Sequence, residues 1–226
     1  MHSCRLVGGD IPPRGPVFSL LDKCTGFTLV ELLVVMAIGA VLFTLGITAA
    51  SGAMDRAHST KCLSSLRQVG IALQLYTGDN AGRLPDTGHV RAADGSSLSW
   101  TNTLSSYLST NFIGRCPANR KSPMAVTYAW NDLLVETNGV GIPLTRCRQP
   151  SATLAVAEAS DAYTSEHFHF ASARTRVTFN QFKTDVGVER HNTFANYLFV
   201  DGHTELLSPD EIRSRLNSPN STFLQP

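Results

Sequence analysis

"GFTLVELLVVMAIGAVL", residues 26–42, decides how the rest of the chain is read. It heads a run from Phe27 to Ala50 in which Glu31 is the only ionisable side chain. A helix of about 20 apolar residues suffices to cross a bilayer, and this run is longer. A carboxylate near the bilayer centre costs on the order of 3 kcal/mol or more. Glu31 therefore needs a reason that length and apolarity do not supply.

Three readings compete for this stretch. A cleaved secretory signal would use Lys23 as its positive flank and Ser51-Gly52-Ala53 as a small-residue cleavage site. The run exceeds the roughly 7–15 residues typical of such a core. A plain membrane anchor satisfies the length and leaves Glu31 unexplained. The third reading explains it. The block Gly26-Phe27-Thr28-Leu29-Val30-Glu31 resembles the processing site of type IV prepilins and of the pseudopilins of type II secretion. The resemblance implies that a prepilin peptidase cuts after Gly26 and methylates the new amine of Phe27. Cleavage would create a cationic amine that also needs a partner in apolar surroundings. Glu31 lies about 6 Å along a helix from Phe27 and on the same face. It can pair with its own terminus or with that of a neighbouring subunit, and the helix dipole favours a carboxylate in the first turn.

The boundaries follow from this site. Residues 1–26 form a leader in which Pro12, Pro13 and Pro16 argue against a stable helix, so disorder is expected there. Arg5, Arg14 and Lys23 favour its retention in the cytoplasm, although Asp10 and Asp22 dilute that charge. Residues 27–50 are the transmembrane half of a long helix and 51–78 its amphipathic half. In "CLSSLRQVGIALQLYTGDN", Leu66, Val69, Leu73 and Tyr76 recur at helical spacing and predict a face laid on a core. No proline occurs between Phe27 and Leu84, and Gly78-Asp79-Asn80 supplies the stop. Gly39, Gly46 and Gly52 are the weak points.

Residues 79–226 read as a periplasmic α+β head. Ser99 or Thr101 starts a short helix bearing Trp100, Leu104, Tyr107 and Leu108. "MAVTYAW", "TLAVAEA", "HFHFA" and "RVTFNQF" predict short strands. A hairpin is expected in "RHNTFANYLFVDGHTELL", with Asp201-Gly202 as a type I′ turn and a strand buried on both faces. Ser208-Pro209-Asp210-Glu211 forms a capping box that opens a helix over 209–216, and the tail after Asn217 is expected to be loose.

The segment from His191 through nine residues to Asp201-Gly202 also resembles the H-x9-DG mark of a large group of pilin-like proteins, of planctomycete and verrucomicrobial type. Cys62 through Tyr76, Cys116-Pro117, Tyr128-Ala129-Trp130-Asn131 and the strand near Glu158 add to that likeness. Together the two resemblances imply an α+β pilin-like fold, a long N-terminal helix packed on an antiparallel sheet.

Chemistry is sparsely marked. His191, Asp201 and His203 are weak metal candidates if the hairpin brings them together; turn and strand roles weigh more. Asp79, Asn80 and Asp86 offer oxygen ligands, but sit around a helix end where such residues make turns. His167 and His169 share one side of a strand. GxSxG, HExxH and P-loop motifs are absent from the 226 residues, so no enzyme and no cofactor are expected. With 42% hydrophobic residues, 16% charged and a formal net charge of +1, no nucleic-acid surface is expected either. Cys62, Cys116 and Cys147 allow one disulfide and one spare thiol, and spacing does not choose the pair.

The expected protein is a structural subunit of an inner-membrane secretion or pilus assembly, single-pass with its N-terminus cytoplasmic. Its partners would be the prepilin peptidase, the membrane, sister subunits, and a platform protein through which an assembly ATPase acts. The rival expectation is a membrane-tethered binding module that uses the prepilin signal without polymerising, with a glycan or protein ligand on segments 85–115 and 160–185.

Overall fold

A computed structural model describes residues 27–88, 99–109, 112, 114–136, 139–170 and 176–226, the side chains of 48–51 excepted. The leader, with Gly26, Cys4 and Cys24, lies outside the described residues, as do parts of the 85–115 and 160–185 segments. The chain divides into two compact units, Met1–Ile47 and Thr48–Pro226.

Helix α1 runs over Leu29–Asp79, close to the expected 27–78. It ends as the Asp-Asn sequence predicts. Ala81 and Gly82 take positive φ angles of 53° and 71°, and the Gly82 N–H reaches back 2.8 Å to the Thr77 carbonyl. That left-handed reversal satisfies a carbonyl which the last turn would otherwise leave bare. In the first unit every described side chain from Phe27 to Ile47 is exposed, Phe43 by 70%. An 18-residue window of α1 near the N-terminus is apolar and long enough to cross a membrane, and none of it is buried.

In the second unit α1 presents the face that its spacing predicts. Cys62, Leu66, Val69 and Leu73 are fully buried and Tyr76 is half-buried. They cover a sheet made of β1 (Tyr128–Asn131), β2 (Leu154–Glu158), β3 (His167–Phe168), β4 (Ala195–Phe199) and β5 (Thr204–Leu207), in the order β3-β1-β2-β4-β5. The pairs β1–β2, β2–β4 and β4–β5 are antiparallel. The edge strand β3 joins β1 in parallel through Trp130↔His167 and Asn131↔Phe168, so the sheet is mixed rather than wholly antiparallel.

The sheet is buried on both faces. Leu198 and Val200 join the α1 residues, Trp100 and Trp130 in one apolar cluster. Tyr197 and Phe199 join Phe182, Ile212 and Leu216 in the other. A strand covered on both faces needs this continuous apolar run rather than alternation. In β2 the register shifts between Leu154 and Val156, which places Ala155 and Val156 on the same side. Trp100 anchors the α1 side. It stacks on Trp130 at 6.3 Å and donates its indole N–H to the Glu166 carbonyl at 2.8 Å.

Four local expectations are corrected. "RVTFNQF" contributes a helix, α3 (Phe179–Asp185), not a strand, because Thr178 and Gln181 close a reciprocal capping box whose signal outweighs the β-branched composition. The helix at Trp100 is a single turn, α2 (Trp100–Thr103), capped by Ser99. The hairpin turn is not type I′. Gly202 alone takes a positive φ, 89°, after a turn closed by its N–H to the Phe199 carbonyl, while the Phe199 N–H bonds the His203 carbonyl. This is a three-residue loop ending in a left-handed residue, a common alternative to the two-residue turn. The tail is not loose. After α4 (Pro209–Asn217), which has the predicted capping box, Phe223 and Leu224 are buried, the Leu154 N–H donates to the Phe223 carbonyl and the Asn131 amide to that of Leu224.

Candidate functional site

The N-terminal site is built from three residues. Phe27 is 82% exposed. Thr28 precedes the first helical residue, and its backbone N–H and hydroxyl both donate to the Glu31 carboxylate, at 2.9 and 2.8 Å. The Glu31 N–H returns to the Thr28 hydroxyl at 3.2 Å. This is a capping box, Thr-x-x-Glu ahead of an apolar run, and it satisfies backbone donors that no helical carbonyl can reach. Glu31 is thus anchored locally before any amine or neighbour is considered. The signal stands in the sequence as Thr28-x-x-Glu31 ahead of an apolar run, beside the membrane cost that the carboxylate carries.

The His191–Gly202 segment is spread along a strand rather than gathered at one end of it. His191 forms a tight bridge with Phe194 across Asn192, which takes a φ of 70°. Its ring is buried, with Nε2 2.8 Å from Glu158 Oε1. Asp201 lies beyond the far end of β4, in the hairpin loop, where it accepts from the backbone N–H and ring of His203. His191 therefore does not meet Asp201 and His203, and these weak metal candidates are not brought together. His203 bridges Asp201 and Glu205 and stacks on Phe199 at 4.5 Å. Partial burial opposes its charged form, but hydrogen bonds and charge from Glu205 and Asp201 outweigh burial and raise its pKa.

Gly202 has a packing role that sequence reasoning missed. A Cβ on it would lie 3.1 Å from Gln74 Cγ and 3.3 Å from the Gly70 carbonyl. A Cβ on Gly70 would lie 2.5 Å from the Gly202 carbonyl oxygen. Gln74 completes the contact by donating to the Val200 carbonyl at 3.1 Å. Two glycines let α1 and the hairpin loop touch backbone to backbone.

The other oxygen and nitrogen candidates are engaged locally. Asp79 accepts from the Tyr107 hydroxyl and Asp86 from the Gly141 N–H, while Asn80 donates to the Tyr76 carbonyl. His167 and His169 do lie together, ring centroids 4.8 Å apart, with the Tyr163 hydroxyl 2.9 Å from His169 Nδ1. Of the three cysteines among the described residues, Cys62 and Cys116 pair, with Cα atoms 5.4 Å apart, and Cys147 stays free and buried. An open cleft of about 360 Å³ is lined by Leu133, Arg148, Arg176, Leu216 and Leu224.

Residues 21–47 match the family model of the prokaryotic N-terminal methylation motif. No curated protein and no solved structure matches the chain. The matched span contains Gly26, Phe27 and Glu31 and the exposed apolar stretch of α1, which fits membrane anchoring. The match indicates a type IV pilin-like signal at residues 21–47, which implies processing by a prepilin peptidase.

Proposed function

We propose that the mature chain begins at Phe27 and serves as a structural subunit, assembled through α1 into a type II secretion-like or type IV pilus-like fibre. One observation carries this reading: the methylation motif heads an apolar helical stretch in which every described side chain from Phe27 to Ile47 is exposed. Such a continuous apolar surface is far larger than a soluble monomer leaves open. Lipid covers it before assembly, and sister helices cover it afterwards. Glu31 is the one ionised group on that surface, and the Phe27 amine is its natural counter-charge in a medium where an unpaired charge is costly.

In this reading the head lies in the periplasm and is structural rather than catalytic. Sister subunits, a platform protein and the assembly ATPase behind it are the partners, beside the peptidase and the membrane. The test is the mass of the mature N-terminus together with cross-links between α1 helices. A methylated Phe27 start is expected, and Gly26→Val should keep the leader attached and prevent cross-linking. A mature start at Met1, or near Met54, would overturn the reading. Correct processing without any cross-link between copies would support the tethered binding module instead.

A further inference from the structure

The disulfide of the head sits against a buried carboxylate and imidazole. Cys62 on α1, Cys116 in the segment before β1, Glu158 at the end of β2 and His191 ahead of β4 are all buried. Their ligand atoms lie within 4.8 Å of one another. His191 Nε2 is 2.8 Å from Glu158 Oε1 and 3.7 Å from Cys116 Sγ. The second carboxylate oxygen accepts from the Asn196 N–H at 3.0 Å, which fixes the orientation of Glu158. The same imidazole nitrogen faces both the sulfur and the carboxylate. A nucleophile–base–acid relay would need opposite nitrogens, so this is not a catalytic triad. Four donors converging on one point are instead the arrangement of a coordination site.

We propose that Cys62, Cys116, Glu158 and His191 bind one zinc ion when the disulfide is reduced, so that disulfide and metal are alternative closures of the same site. Zinc bonds of about 2.0–2.3 Å in a tetrahedron set the donors roughly 3.3–3.8 Å apart, a spacing these four reach with small side-chain shifts once the sulfurs part. Two thiolates and an imidazole select zinc over calcium or magnesium. The cation would also give the fully buried Glu158 carboxylate a counter-charge. Reduction of the disulfide takes two electrons and two protons from a dithiol, which becomes a disulfide. Zinc then displaces the two thiol protons and is held by two thiolates, the carboxylate and His191 Nε2. Either closure ties α1 to the segment before β1 through Cys62 and Cys116, and the metal closure adds Glu158 of β2 and His191. The proposal is independent of fibre assembly.

The test uses the full chain in detergent. A phosphine reductant cleaves the disulfide, taking oxygen from water as it becomes a phosphine oxide and leaving two thiols. Zinc is added, unbound metal is removed, and bound metal is measured by mass spectrometry; cobalt is substituted in parallel to read thiolate-to-metal charge-transfer and tetrahedral ligand-field absorption. The expected result is one zinc per reduced chain and none per oxidised chain. Cys147→Ser should retain the ion, whereas Cys62→Ser and His191→Ala should weaken binding at least tenfold. A reduced wild-type chain that retains no zinc overturns the proposal, a result that needs no variant to fold. Zinc retained equally by Cys62→Ser and lost from Cys147→Ser would also overturn it, by placing the metal elsewhere.

Discussion

Gly70→Ala tests the contact on which the orientation of the Asp201-Gly202 hairpin loop depends. On an exposed helix this change stabilises by roughly 1 kcal/mol, because alanine loses less backbone freedom than glycine. At position 70 the new Cβ would stand 2.5 Å from the Gly202 carbonyl oxygen, 3.0 Å from Leu198 Cδ1 and 3.2 Å from the Gly202 carbonyl carbon. Two of those three atoms are backbone and cannot swing aside. Gly202 is itself held in a left-handed conformation against Gln74, so the loop cannot retreat without disturbing the hairpin. Overpacking of this kind costs about 1–3 kcal/mol, and more where backbone must move. The net expectation is a loss of about 1–2 kcal/mol, or roughly 2–8 °C in melting temperature for a head of this size. The assay is thermal unfolding of the full chain in detergent, followed by circular dichroism. Gly78→Ala is the control, since nothing lies within 4 Å of its new Cβ on the same helix. It should melt at or slightly above the wild type. If Gly70→Ala melted like Gly78→Ala, the close approach of α1 to the hairpin loop would be refuted.

Other perturbations probe separate parts of the head. Replacing Cys62 and Cys116 together by alanine removes a cross-link between positions 54 residues apart. The chain-entropy relation assigns that loop about 4 kcal/mol, which oxidised-state denaturant unfolding should detect as a lower midpoint. Leu73→Asp buries a charge in a fully enclosed position, and a loss of about 3–5 kcal/mol should leave the head protease-sensitive. An equally resistant variant would contradict the placement of that helix face. His203 gives a pH dependence. Its pKa is raised above the ordinary 6.5, so its stabilising contribution is complete below pH 6.5 and is lost as pH rises through the raised value. The melting difference between wild type and His203→Gln should therefore shrink from pH 5.5 to pH 9, and a widening difference would contradict the Asp201–His203–Glu205 bridge.

What the sequence made legible was whatever a short-range pattern could carry. The core face of α1, the Ser208–Glu211 capping box and the two-faced burial of "NYLFV" each depend on spacing over a few residues. The failures are of two kinds. Local competition misled at Thr178–Phe182, where β-branched and aromatic residues suggested a strand although Thr178 and Gln181 held a capping box. Long-range contact was invisible elsewhere. Nothing near Phe223 announces that its carbonyl receives the Leu154 N–H, and nothing near Glu158 announces His191 as its partner. The pairing of Cys62 with Cys116, rather than with Cys147, is likewise a property of the packed head. Gly202 shows both kinds at once. Its turn role was readable from Asp201-Gly202, but its contact with Gly70 was not.

The central claim is that Glu31 holds a charge for assembly rather than for cleavage or capping. Glu31→Gln isolates that charge, because glutamine keeps an acceptor oxygen that can take the Thr28 N–H and hydroxyl, and either residue serves in a capping box. One strain expressing the variant should be followed at both steps, by the mass of the mature N-terminus and by cross-linked ladders between α1 helices. The account predicts a normal cut before Phe27 with ladders, or amine methylation, sharply reduced. Normal cleavage with normal methylation and full-length ladders would contradict it.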